Sequence, residues 1–157
     1  MPQSGVRRPM VLLVALGLLF LAAEVAAIEM VDKELLFENE EWKAAYDAFT
    51  VDPGALEILQ KKAGDTLRID VYLGTWCSDS QEHVPGFIKI IEALDNPTVE
   101  VTYYNIERKE SPDVKFYYEE FQIERLPTFV FYRDGEEIGR IVEHPRGTLL
   151  EHILKIM

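Results

Sequence analysis

The stretch GTWCSDSQEHVP, residues 74–85, holds the only cysteine of the chain, Cys77. An alternating apolar run precedes it and a helical pattern follows, so Cys77 falls in a strand-to-helix turn. The N-terminus of a helix presents unpaired N–H groups and a positive dipole end, and both stabilise a thiolate. Hydroxyls on Ser78 and Ser80 can donate to the sulfur, whereas Asp79 suits the helix start but repels a neighbouring thiolate. Three residues beyond Cys77 stands Ser80 and not a second thiol. A thiolate attacks a disulfide and forms a mixed disulfide. A hydroxyl at Ser80 cannot resolve that species, so release must come from another molecule's thiol. Isomerisation, deglutathionylation and covalent capture fit such a turn; self-contained disulfide reduction does not.

The elements that must position this thiol are legible on either side. Residues 66–74, TLRIDVYLG, alternate Leu67, Ile69, Val71 and Leu73, which predicts a strand. SDSQEHVPGFIKIIEAL, residues 78–94, carries Phe87, Ile88, Ile91 and Leu94 and predicts a helix. A second strand is predicted over 98–106. A helix follows in SPDVKFYYEEF, with Ser111 as cap and Pro112 next. TFVFYRDGEEIGRIV predicts a hairpin turning at Asp134-Gly135, and GTLLEHILKIM an amphipathic helix. Ahead of this core, residues 28–65 read as a helical lead-in: a helical pattern over 31–49, then Asp52 as cap, Pro53 at the first helical position and Gly64 as a stop. The order strand-helix-strand-helix-strand-strand-helix predicts an α/β fold with one sheet.

Length points to one domain, and 48% hydrophobic content supplies a core. Arg7 and Arg8 precede an uncharged apolar run over 10–23, and Val25 and Ala27 suit a signal peptidase. That run is short for a membrane span of roughly 20 residues. The expectation is a signal peptide over 1–27 and an exported domain over 28–157, secreted or periplasmic, with no stable membrane insertion after cleavage. The full chain carries −12, and the exported part is one unit more negative, which disfavours nucleic acid.

In these residues the chain resembles the thioredoxin-like family over roughly 66–157. The resemblance rests on TWCSDS at the turn, Pro85 eight residues after Cys77, Leu126-Pro127-Thr128 opening the hairpin, and the closing hairpin and helix. It implies a thioredoxin fold: a central mixed sheet flanked by helices, with a C-terminal β-hairpin and helix. Cys77 would be the attacking cysteine, Trp76 its flanking aromatic and Pro85 a helix kink. Pro127 would be a cis-proline facing the thiol, and the Leu126 backbone would be available to an extended peptide. Two departures stand out. Ser80 replaces a second cysteine, and Val71 occupies the place of a buried acid, with Asp70 on the opposite strand face.

The expected function is exchange through one nucleophilic thiol, with Cys77 and Ser80 as its catalytic pair. Trp76, Ser78, Asp79, Leu126 and Pro127 would meet the substrate. Partners are protein thiols or disulfides, or glutathione. The alternative is a thioredoxin-fold module that binds peptides or a protein without turnover. No cofactor and no metal are expected. His83 lies about 240° around a helix from Cys77, and His144 and His152 have no partner in sequence.

Overall fold

The computed structural model describes residues 28–64, 66–108 and 118–157. The leader expected over 1–27 and the cap expected at Ser111 and Pro112 lie outside these residues. Tyr118 to Glu120 are helical. No helix among the described residues is long and apolar enough to cross a membrane.

Strand β2 (Leu67–Leu73) is the centre of a five-stranded sheet. It pairs parallel with β3 (Val99–Ile106) and antiparallel with β4 (Thr128–Arg133). β5 (Glu136–Val142) extends the β4 side, giving the closing hairpin that the pattern predicts and the mixed sheet that the resemblance implies. Asp134 and Gly135 both hold positive φ, +53° and +83°, as a two-residue hairpin turn requires. On the other edge lies β1 (Ile28–Met30), antiparallel to β3. The lead-in is therefore not helical throughout: its first three residues complete the sheet.

The rest of the lead-in is helical in three pieces: α1 (Lys33–Leu36), α2 (Glu40–Ala48) and α3 (Pro53–Lys62). The single pattern over 31–49 breaks because Asn39 caps a new helix, its side chain accepting from the Glu41 N–H at 2.9 Å. Asp52 caps α3 by accepting from the Ala55 N–H, and Gly64 stops it at φ +68°. α4 (Ser78–Leu94) and α5 (Leu149–Ile156) complete the helices. A reciprocal Thr148–Glu151 capping box opens α5.

Both faces of β2 are covered, as befits a central strand. Ile69, Val71 and Leu73 join a core with Trp42, Leu59, Phe87, Ile88 and Ile153, where α2, α3, α4 and α5 pack on the sheet. Close approach of α4 to the end of α2 depends on Gly86. A methyl there would meet the Phe49 ring at 2.5 Å. Tyr72 faces the other side, into a smaller cluster with Ile106, Tyr118, Ile123, Leu126 and Val130, against which Cys77 packs.

Asp70 is buried, although Arg68 donates to its Oδ2 at 2.7 Å and stacks on the Tyr132 ring. Oδ1 is buried without a hydrogen-bond partner among the described residues. Burial raises the carboxyl above its ordinary range, and the guanidinium only partly opposes this. A raised folded-state value means the folded protein binds the proton more readily than the unfolded chain. Stability therefore falls as pH rises through that window, and the ionised form costs stability at neutral pH. Asp70→Asn is expected to raise stability at pH 7 by on the order of 1 kcal/mol, because half-exposed Arg68 can return to water. The gain should vanish below about pH 4. Urea melts at the two pH values check this, and a loss at neutral pH would contradict it.

Candidate functional site

Cys77 is the N-cap of α4, with φ −96° and ψ 122°. Its N–H donates to the Gly74 carbonyl at 2.9 Å, and its carbonyl accepts from the Gln81 N–H at 3.0 Å. These bonds fold the end of β2 directly into the helix. The half-buried thiol donates to the Leu126 carbonyl across 3.6 Å. The following peptide bond, Leu126-Pro127, is cis. That loop is itself braced. Thr128 Oγ1 donates to the Arg125 carbonyl at 2.7 Å, and the Pro127 carbonyl accepts from the Glu143 N–H at 2.7 Å.

The other expected residues divide by depth. Trp76 lies at the surface, 41% exposed, with its indole N–H donating to the Ile106 carbonyl at 2.8 Å. Gly74 leaves room for that ring, since a methyl there would meet the indole at 2.9 Å and Leu126 at 3.2 Å. Ser78 is exposed and Asp79 half-buried in the first turn of α4. Ser80 is fully buried, and its Oγ accepts from the Gly74 N–H at 3.1 Å. Its oxygen thus ties the first turn of α4 to the end of β2. Pro85 lies inside α4 and has no N–H for the Gln81 carbonyl. Val71 is fully buried on one side of the sheet, while the neighbouring Asp70 lies on the side of Tyr72 and Cys77.

Folding adds residues that sequence spacing did not mark. An open cleft of about 370 Å³ is lined by Trp76, Cys77, Asp79, Tyr118, Leu126 and Glu143, among others. Arg108 enters it with its guanidinium 5.2 Å from the Trp76 ring centre, and Arg125 pairs with Glu143 at 2.6 Å. Burial pushes the Tyr118 hydroxyl up to about 12, with the Cys77 sulfur adding to the effect, so a neutral phenol stands beside the thiol.

The histidines gain partners that their spacing in the sequence does not show. His144 is exposed but has a partner: its Nδ1 lies 3.2 Å from Nε2 of His83. Burial lowers His83 below the ordinary imidazole value. His152 is half-buried, and its Nδ1 accepts from the Arg146 N–H at 3.0 Å. One signal was available in the sequence, for Asp79 and His83 are four residues apart on one helix face.

Comparison with known proteins gives the family and the fold. Thioredoxin-3 from the mitochondria of Saccharomyces cerevisiae is 35% identical over 81 residues, which is 52% of this chain and 58% of that protein. Thioredoxin H5 of Arabidopsis thaliana is 27% identical over 105 residues, 64% of this chain and 83% of the plant protein. Among solved structures, a Pseudomonas aeruginosa protein of unknown function superposes with a TM-score of 0.57 at 17% identity. That match covers 81% of this chain and 97% of the bacterial one, and it speaks to the fold alone. A thioredoxin family model matches residues 27–151, spanning the sheet, the cysteine turn and the cis-proline loop together, and the chain belongs to that family.

Proposed function

We propose that this protein carries out thiol–disulfide exchange through one nucleophile, Cys77, in an extracytoplasmic compartment. The observation that carries the reading is the thiol itself: half-exposed, at the N-cap of α4, 3.6 Å from the carbonyl that precedes Pro127. The Cys77 thiolate attacks one sulfur of a disulfide. The S–S bond breaks, a mixed disulfide forms, and the departing thiolate takes a proton from water. With Ser80 in place of a second thiol, an external thiolate such as that of glutathione then attacks the mixed disulfide. This second exchange returns the Cys77 thiolate. Trp76 and the Leu126-Pro127 backbone form the walls against which an extended peptide would lie. Ser80 supports the step indirectly, by holding the Gly74 N–H and with it the turn. Export over the apolar leader would put this thiol where disulfide substrates persist.

Intact mass after brief alkylation reads both parts of the proposal. Protein recovered from the cell exterior or envelope should begin at Ile28. It should take one label at neutral pH roughly tenfold faster than the urea-unfolded chain. Oxidised glutathione should add a single adduct that dithiothreitol removes and that Cys77→Ser abolishes. Labelling that waits for unfolding would instead leave a binding module, and a mass retaining residues 1–27 would sink the export part.

A further inference from the structure

Beside the thiol, but separate from it, four side chains with metal-ligating atoms converge from two elements. Asp79 and His83 lie one turn apart on α4, and Glu143 and His144 are adjacent residues just past β5. One ligand atom from each of Asp79, Glu143 and His144 lies within 4.8 Å of the others. Two carboxylates and an imidazole suit a borderline divalent ion such as zinc. Around tetrahedral zinc, with bonds of about 2.0–2.1 Å, neighbouring ligand atoms stand roughly 3.3 Å apart. Modest rotation of the Asp79 and Glu143 side chains closes that gap, and neither is deeply buried.

The backbone is set for such a site. Glu143 holds φ +60°, outside the ordinary range for a residue with a side chain. Its N–H is fixed on the Pro127 carbonyl, and the His144 N–H donates to the Val142 carbonyl at 2.7 Å. This tight turn projects two consecutive side chains toward the start of α4. His83 fixes the His144 ring through the 3.2 Å nitrogen contact, the kind of support that orients a ligating imidazole. One group competes: the Arg125 guanidinium holds Glu143 Oε2.

We propose that Asp79, Glu143 and His144 form a binding site for a divalent transition-metal ion, with zinc as its natural probe. Cys77 is not among the ligands, although it shares a cleft with Asp79 and Glu143. Three protein ligands leave one position on the ion for water.

The test is competition for zinc between the untagged protein and a chromogenic chelator near pH 7.5. One zinc per chain is expected, with a matching rise in melting temperature because the ion binds the folded state. Glu143→Gln and His144→Ala should each weaken binding about tenfold or more. Cys77→Ser should leave binding unchanged. Arg125→Gln should tighten binding by several-fold, because it frees the Glu143 Oε2 that the guanidinium holds. Three results would overturn the proposal: no saturable zinc, binding indifferent to His144→Ala in a variant that still melts cooperatively, or binding lost with Cys77.

Discussion

Phe87→Ala is expected to destabilise the protein by about 3–5 kcal/mol. Phe87 is completely buried, in the middle of α4, where the helix lies on the sheet. Its ring centre is 4.8 Å from that of Phe129 and 6.5 Å from that of Phe131, both on β4. The three rings form the contact between the helix that carries Cys77 and the strand that follows Pro127. Truncation removes that transfer free energy and leaves a cavity which neighbours cannot fill, since Gly86 already lets Phe49 press against the same helix. A domain of this size is stable by roughly 5–15 kcal/mol, so the variant should sit near the edge of folding. Urea denaturation checks the size of the loss. Phe87→Leu should cost less than half as much, because it keeps most of the volume. A loss below about 1 kcal/mol for the alanine variant would mean that α4 is not seated by this ring.

The parts of the structure legible in the sequence are those specified by neighbours along the chain. α4 begins at Ser78 and ends at Leu94 because polar residues open it and the apolar spacing runs unbroken to Leu94. β2 shows its alternation, and the hairpin is written in Asp134-Gly135. β1 was not legible, because three residues carry no period and their partners, Tyr104 to Ile106, lie far along the chain. The site divides in the same way. Cys77 and Pro127 are marked by type and local setting, but the 3.6 Å approach of the Cys77 thiol to the Leu126 carbonyl belongs to the packed sheet. Arg108 and Glu143 reach the cleft because β3 and β5 end near it, Tyr118 reaches it from the helical residues 118–120, and nothing in their spacing encodes that meeting. Asp70 is a mixed case. Alternation sets it on the face opposite Val71, but only the second cluster of side chains explains why that face is buried as well.

Ser80→Cys should convert the turn from one that needs an external thiol into one that resolves its own mixed disulfide. Residues three apart at the start of a helix have Cα atoms about 5 Å apart, inside the 4.4–6.8 Å span of disulfides. The introduced thiol would replace an oxygen that faces the turn and is wholly shielded from water. An intramolecular thiol acts at an effective concentration far above the millimolar level of free glutathione. Insulin reduction, expected to be absent in the parent, should therefore appear with dithiothreitol as reductant at roughly 100-fold above background or more. The release step should also lose its dependence on added glutathione. A cost accompanies the gain. Sulfur is a weak acceptor, so the Gly74 N–H loses its Ser80 oxygen, and the reduced variant should be less stable by about 1–2 kcal/mol. Ser80→Ala separates the two effects, for it should show the same loss with no turnover. If Ser80→Cys folds and still reduces nothing, Ser80 does not occupy the resolving position, and Cys77 exchanges by a route other than the one proposed here.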